Sequence, residues 1–202
     1  MLSKRLFDLL AAAAGMLILA PLLVAIALWI RWDSPGPALF RQWRIGRAGV
    51  PFSILKFRTM TVGGSRAGGL TVGADPRITR AGAFLRRHKL DELPQLINVL
   101  TGDMSLVGPR PELARYVAHY PAPVRARVLS VRPGLTDWAA ILYKDESTIL
   151  GRAGDPERAY LEQILPAKLA YYQRYVDQHS VGQDMRIIVR TLAALCQRAG
   201  ER

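Results

Sequence analysis

Cysteine is nearly absent from this chain. The one cysteine in 202 residues, Cys196, excludes an intramolecular disulfide framework and a cysteine-based zinc cluster. Histidine is scarce as well. His88, His119 and His179 show no HxxxH spacing, which argues against a histidine-rich metal site. There is no GxxxxGK[ST] phosphate loop and no GxSxG elbow, so two common sources of enzymatic function drop out. Acids are few: 16 Asp and Glu stand against 28 Lys and Arg, a formal charge of +12. So basic a chain expects an anionic partner, whether nucleic acid, anionic lipid or a phosphorylated substrate. What is plentiful is apolar. Half the residues are hydrophobic, which argues against general disorder, and the length suffices for a core without disulfides.

Leu9 to Ile30 carries no charge over 22 residues. As a straight helix it measures about 33 Å, close to the hydrocarbon thickness of a bilayer. The run is long for a signal peptide, and no small-x-small cleavage site follows it. Two features set it apart from a simple span. Pro21, preceded by Ala20, removes the bond to the Leu17 carbonyl and predicts a kink. Basic residues flank both ends, with Lys4 and Arg5 before and Arg31, Arg41, Arg44 and Arg47 after. The positive-inside rule places such flanks in the cytoplasm. A helix that enters, turns at the proline and returns satisfies both flanks, whereas a span satisfies one. A kinked span stays open, because proline is tolerated in spanning helices.

Beyond this segment, Trp32-Asp33-Ser34-Pro35-Gly36-Pro37 is a turn cluster. Ala38–Arg44 and Pro51–Met60 read as two short strands around Gly46-Arg47-Ala48-Gly49, a hairpin. Val62–Asp75, with five glycines, reads as a flexible loop. Helices are predicted over Arg80–Lys89, over Glu92–Leu100 with Pro94 in the first turn and Gly102 past the end, and over Glu112–His119 and Val124–Ser130. Val131–Thr136 is turn-rich. A long helical region runs from Asp155-Pro156 to about His179, interrupted at Pro166. The last helix, Gln183–Gln197, places Ile187, Ile188, Leu192 and Leu195 on one side, with Arg186, Arg190 and Arg198 near the other. The expected fold is mainly α with one small β-hairpin. It divides into a membrane helix (residues 1–32) and a following domain with amphipathic helices suited to an interface (33–202).

Asp91-Glu92 is the first candidate for chemistry. Adjacent acids at a helix start have a bland explanation, since they complement the helix dipole. The functional alternative has one carboxylate attack phosphorus while its neighbour helps hold a divalent cation. Mg²⁺ takes one or two carboxylates and completes its shell with phosphates and water. The free N–H groups of a helix start also suit a phosphate. Arg86, Arg87, His88 and Lys89 lie within five residues and could clamp a diphosphate, although such a run is commonly a solvated or lipid-facing surface. The second candidate is Arg110, fixed between Pro109 and Pro111 after Gly108; a rigidly held arginine suits bidentate phosphate binding. Lys56 and Arg58, two apart on a predicted strand, share one face and read as phosphate contacts or as a solvated face. Arg132, before Pro133-Gly134, is a further phosphate candidate.

These residues carry a family resemblance. Lys4-Arg5-Leu6-Phe7-Asp8, Lys56-Phe57-Arg58-Thr59-Met60, Leu90-Asp91-Glu92-Leu93-Pro94-Gln95-Leu96, Asn98-Val99-Leu100-Thr101-Gly102-Asp103-Met104-Ser105, Val107-Gly108-Pro109-Arg110-Pro111 and Val131-Arg132-Pro133-Gly134-Leu135-Thr136 occur in that order. Together they resemble the bacterial sugar transferases, the monotopic polyprenyl-phosphate phosphoglycosyl transferases. The resemblance runs over about residues 1–138 and more loosely to about 195. It implies transfer of a sugar-1-phosphate from a UDP-sugar to undecaprenyl phosphate, with release of UMP and use of Mg²⁺. It implies a phosphosugar intermediate on Asp91. Glu92 would serve the metal and the acceptor, and Lys56, Arg86 and Arg110 the phosphates. It also implies a re-entrant first helix in the bacterial inner membrane, a catalytic domain on the cytoplasmic face, and contact with anionic lipids. A homodimer stays open, and nucleic acid is not an expected partner.

Three departures stand out. Many relatives carry serine before the helix-breaking proline, where this chain has Ala20. Many continue Gly-Trp-Ala-Gln-Val after the Leu-Thr pair, where this chain has Asp137-Trp138-Ala139-Ala140-Ile141 and then Tyr143-Lys144-Asp145-Glu146; this stretch is expected to bear on donor choice. Larger relatives carry extra membrane helices ahead of the core, so this chain resembles a minimal catalytic unit. The rival reading, a non-catalytic membrane-anchored protein that binds anionic ligands, explains the charge and the apolar run but not the ordered motifs. A nucleic-acid-binding protein is expected to show a basic, aromatic-studded surface, which the sequence does not.

Overall fold

The computed structural model describes residues 2–63, 75–143 and 146–200. Most of the loop expected over Val62–Asp75, and the pair Lys144-Asp145, lie outside the described residues. Helix α1 spans Leu2–Asp33. The apolar run makes it a helix on every face, and little of it is covered: Leu17 is 79% exposed and Ile18 75%. Pro21 lies inside α1, and the helical backbone continues through Ala20 and Pro21. The expected break is therefore at most a bend within one helix, not two helices separated by a turn.

Both ends of α1 are tied to the same folded body. Near its start, Lys4 donates to Asp184 (2.5 Å) and to the Val107 carbonyl (3.2 Å). Asp8 is buried and accepts from the Ser105 hydroxyl (2.8 Å) and the Leu106 amide (3.1 Å). At the other end, Ile26 and Ile30 pack with Phe57, Ala81 and Leu85. Full burial of each such side chain contributes about 1.5–3 kcal/mol. Asp33 accepts from the Ala81 amide (3.0 Å).

Strands β1 (Leu39–Ile45) and β2 (Pro51–Phe57) form the expected antiparallel hairpin, with Leu39 opposite Phe57 and Ile45 opposite Pro51. Helix α2 is Arg80–Arg87, opened by Thr79, whose hydroxyl accepts from the Gly82 amide (2.9 Å). A 3₁₀ turn over Leu90–Glu92 precedes α3, Gln95–Thr101. Asp91 and Glu92 thus sit in the 3₁₀ turn that leads into α3 rather than in α3 itself, still at its N-terminal end. Gly102 closes α3 in the left-handed region at φ 95°. The Asn98 side chain stitches α3 to β2, accepting from the Leu55 amide and donating to the Ser53 carbonyl, each at 2.9 Å.

The structure adds a second sheet that the sequence reading lacks. Strand β3 (Ser105–Val107) pairs in parallel with β4 (Gly134–Thr136), inside the stretch expected to be only turns. Between them lie α4 (Ala114–Val117), shorter than expected, and α5 (Ala122–Val128), which starts and ends two residues earlier than expected. Then follow α6 (Trp138–Leu142), α7 (Glu146–Gly151), α8 (Pro156–Ala159), a π turn over Tyr160–Ile164 and α9 (Leu165–Gln178). Pro166 does not interrupt the chain. It lies in the first turn of α9, where its missing N–H costs little. Helix α10 covers Val181–Gly200. Its expected apolar face divides: Ile187 is buried and Ile188 partly so, while Leu192 is exposed, as are Met185 and Val189 outside that face.

Candidate active site

The acid pair is placed by a reversal of the chain. Helix α2 ends at Arg87, and Lys89 adopts the left-handed conformation at φ 57°. A non-glycine residue there is uncommon, and such strain clusters at functional sites. The reversal brings Asp91 and Glu92 back beneath α2 and against β2.

Glu92 is held by two cations from different elements. Lys56 of β2 donates to Oε1 at 2.8 Å. Arg110 grips both oxygens, Nη1 reaching Oε2 at 3.2 Å and Nη2 bonding Oε1. The turn that carries Arg110 is itself fixed. The Gly134 amide donates to the Pro109 carbonyl (2.9 Å) and the Gly108 amide to the Thr136 carbonyl (3.1 Å). The backbones approach so closely that a Cβ on Gly108 would lie 2.6 Å from the Arg132 carbonyl. Glycine is required there by the close approach rather than by its φ. On the opposite side, Arg86 donates through Nε to the Thr59 hydroxyl (2.8 Å).

Asp91 differs from its neighbour. It is only 9% exposed, yet no described residue donates a hydrogen bond to its carboxylate. Burial raises its pKa, the Glu92 charge raises it further, and Lys56, Lys89 and Arg86 oppose the rise. Burial alone would raise the Glu92 carboxyl as well, but Arg110 and Lys56 outweigh it and hold that group well below the usual carboxylate range. Glu92 in turn raises Arg110 well above its ordinary value. Burial lowers Lys89 and Arg86, with nearby carboxylates resisting. Two adjacent carboxyls pushed in opposite directions mark two different roles. Glu92 is a fixed anion inside a cationic clamp. Asp91 is a partly desolvated carboxylate with open lone pairs, the form in which an oxygen nucleophile is most reactive.

Of the residues picked from the sequence, Asp91, Glu92, Lys56, Arg86 and Arg110 meet here. Arg58 does not. It is 5% exposed, and its guanidinium donates to the carbonyls of Pro37 (2.7 Å), Ser34 (2.7 Å) and Ile30 (3.4 Å) and to the Ser34 hydroxyl (2.8 Å). Its donors close the end of α1, where orphan carbonyls need partners. Lys56 and Arg58 do not share a strand face either, because β2 stops at Phe57. Arg132 also lies elsewhere: its Nε binds the Gly102 carbonyl at 2.8 Å, at the far end of α3. Ala20 and Pro21 sit in the middle of α1, apart from the acid pair.

The sequence does not single out Glu112, and it singles out Asp137 only within the stretch expected to bear on donor choice, not as a buried acid. Glu112, the residue after the Pro-Arg-Pro turn, is buried. It accepts from the Tyr160 hydroxyl (2.7 Å) and pairs with Arg44 (3.6 Å) and Lys168 (3.9 Å). Its position beside a rigid turn was the one available signal. Asp137 is 2% exposed and caps α6, one oxygen accepting from the Ala140 amide (3.0 Å) while Oδ2 has no partner. Burial raises its pKa to about 6, against hydrogen bonding and the charges of Arg110 and Lys168. A carboxyl raised on folding favours the native state below its unfolded pKa and loses that advantage as pH rises through the folded value. Asp137→Asn keeps a good cap and removes the buried charge. Thermal unfolding should therefore show the variant more stable at pH 8, by up to about 3 kcal/mol, with the gain shrinking below pH 6.

The profile described as "Bacterial sugar transferase" matches residues 1–198. The chain belongs to this family. A UDP-glucose:undecaprenyl-phosphate glucose-1-phosphate transferase of Caulobacter vibrioides is 42% identical over 200 residues, covering 96% of this chain and 70% of the relative. The Escherichia coli protein of the same description is 38% identical over 194 residues, 95% of this chain but 39% of that one. An exopolysaccharide production protein of Rhizobium leguminosarum bv. phaseoli is 39% identical over 198 residues, with 95% and 94% of the two chains aligned. The shares of the relatives covered thus differ widely, and this chain spans less than half of the Escherichia coli relative.

Proposed function

We propose that this sugar transferase moves a sugar-1-phosphate from a UDP-sugar to undecaprenyl phosphate, the first membrane step of a bacterial surface glycan pathway. The observation that carries the reading is the unbonded Asp91 carboxylate beside the Lys56–Glu92–Arg110 clamp. The names of the Caulobacter and Escherichia coli relatives agree with it. In the first displacement an Asp91 oxygen attacks the phosphorus that bears the sugar. A P–O bond forms to the carboxylate, the bond to the bridging oxygen breaks, and UMP leaves with the electron pair. In the second, an oxygen of undecaprenyl phosphate attacks the same phosphorus, undecaprenyl-diphosphate-sugar forms, and Asp91 is freed as carboxylate. Arg110, Lys56, Arg86 and Lys89 offset the charge that builds on the phosphoryl oxygens. Glu92 keeps Arg110 and Lys56 oriented and stands ready to orient the acceptor.

Mg²⁺ fits these residues. Among the described residues no group of three metal-ligating side chains occurs, but Mg²⁺ needs only one or two carboxylates when phosphates complete its shell. Asp91 has open lone pairs, and Oε2 of Glu92 accepts only from Arg110, leaving one acceptor position. The ion supplies neutralisation of the diphosphate. UMP release from a panel of UDP-sugars, with undecaprenyl phosphate and Mg²⁺ present, tests the activity. No release from any donor by folded protein would sink it.

The membrane reading extends the same proposal. Residues 1–32 enter the inner membrane from the cytoplasmic face and return to it, and residues 33–202 form the catalytic domain on that face. Support comes from the ties at both ends of α1: Lys4 and Asp8 at one end, Ile30 and Asp33 at the other, all bonded to or packed on the same domain. A spanning helix would have to break one set. Exposed Trp32 (92%) and the Met185, Val189 and Leu192 stripe beside Arg186 and Arg190 suit an interface with anionic lipid. In a Cys196→Ser background, Leu2→Cys and Pro35→Cys should react with an impermeant maleimide only after the cells are opened. Labelling of either site in intact cells would replace re-entry by a span.

A further inference from the structure

We propose that a cavity beside the start of α1, separate from the acid pair, binds one phosphate group through Arg5, Arg47 and Arg132. The cavity has a volume of about 280 Å³ and is lined by these three arginines with Lys4, Ser130 and His179 among others. That is room for a phosphate and several waters, at about 30 Å³ for each water. Its charge is unbalanced. Lys4 pairs with Asp184 (2.5 Å) and Asp8 (3.8 Å), the latter also accepting from Ser105 and Leu106, so Lys4 and the three arginines still outnumber the two acids. No acid pairs with Arg5, Arg47 or Arg132 among the described residues. The Arg132 guanidinium is lowered by burial and then by the charges of Arg5 and Arg47 themselves.

A bland explanation accounts for part of this arrangement. Arg5 donates to the carbonyls of Val99 (2.7 Å) and Leu100 (3.1 Å), and Arg132 to that of Gly102 (2.8 Å), so both cap the end of α3. Capping uses two N–H groups of Arg5 and one of Arg132, out of five on each guanidinium. It uses none of Arg47, whose side chain bonds no described residue and still faces the cavity. Three arginines around one cavity, with spare donors and no acid in ion-pair contact with any of them among the described residues, are the arrangement that a bound phosphate would complete. The length of α3, about 10 Å, separates this site from the acid pair. The exposed apolar surface of α1 begins at Leu2 and Leu6, beside the cavity, so the phosphate can belong to a lipid headgroup or be free in solution.

The test uses the full chain in phosphatidylcholine nanodiscs, labelled with ¹³C at histidine Cε1. His179 lines the cavity, His88 stacks on Phe84 of α2 and the exposed His119 does not line the cavity, so once the three signals are assigned, those of His179 and His88 separate this site from the acid pair. Inorganic phosphate should shift the His179 signal saturably. Arg47→Gln and Arg132→Gln should each weaken that response about tenfold, and Arg47→Lys should weaken it less. With phosphatidylglycerol in the discs, a His179 signal already displaced and no longer responsive to phosphate identifies a lipid occupant. An unchanged phosphate response identifies free phosphate. The proposal fails if His179 stays still in both discs, if only His88 moves, or if both glutamine variants respond like the parent.

Discussion

Asp91→Asn should leave a folded protein that neither forms a phosphosugar adduct nor turns over, with activity down by more than about 10⁴-fold. The substitution keeps the volume and planarity of the side chain. No described residue donates to the Asp91 carboxylate, so the amide breaks no bond. Removing a buried charge whose pKa is already raised by burial and by Glu92 should, if anything, stabilise the fold. What is lost is the anionic oxygen. The decisive measurement is incubation with radiolabelled UDP-sugar and Mg²⁺ without lipid acceptor. Label should appear on the parent protein, map to Asp91, and leave on addition of undecaprenyl phosphate; Asp91→Asn should take up none. Glu92→Gln should be impaired in turnover yet still label slowly, because its role is to hold Arg110 and Lys56. A parent protein that turns over with both substrates but never labels would assign the attack to the lipid phosphate, leaving Asp91 at most a metal ligand. The raised Asp91 pKa adds a pH signature. The labelling half-reaction should decline as pH falls through that raised value, since only the deprotonated form attacks.

Local signals made much of this site legible in the sequence. The hairpin follows from strand patterning around Gly46-Arg47-Ala48-Gly49, and α3 from Pro94 near its start and Gly102 at its end. Asp91, Glu92, Lys56, Arg86 and Arg110 were chosen for charge and rigidity, and the fold does bring them together. The misreadings were long-range. Arg58 looks like Lys56 in sequence, yet one residue beyond the strand end its guanidinium turns to the carbonyls that finish α1. Nothing local distinguishes a phosphate-binding arginine from one that caps a helix. Strands β3 and β4 are three residues each and 29 positions apart, from Ser105 to Gly134, too short for periodicity to register. The division of α10 has the same cause. Ile187 and Leu192 are both apolar, and only tertiary packing decides which meets the core and which stays exposed. Pro21 was read through its lost hydrogen bond, a correct local cost that a long helix carries without ending.

Arg110→Ala should give the second-largest loss. Arg110 serves Glu92 in the resting site and, in the proposed reaction, the phosphoryl oxygens. Truncating one partner of a partly buried charge pair costs about 2–5 kcal/mol. In turnover that corresponds to about 30- to 5,000-fold. If the arginine acts on the transition state, kcat should carry most of the loss; a loss confined to KM would mean uniform substrate binding. Arg110→Lys should recover part of it, since charge survives but the two-pronged grip on Oε1 and Oε2 does not. Stability gives an independent check. Arg110 and Lys56 hold Glu92 below its ordinary pKa, so this pairing favours the native state above the unfolded pKa and is lost as pH falls through the folded value. The stability deficit of Arg110→Ala should accordingly be largest near neutrality and shrink in acid. Arg158→Ala, which removes an exposed pair with Glu162 on the surface, should change stability little, because solvent screens such a pair, and should leave turnover alone. Equal losses from the two substitutions would show that positive charge acts only by drawing the protein to the membrane. A loss specific to Arg110 places the charge at the reacting phosphate.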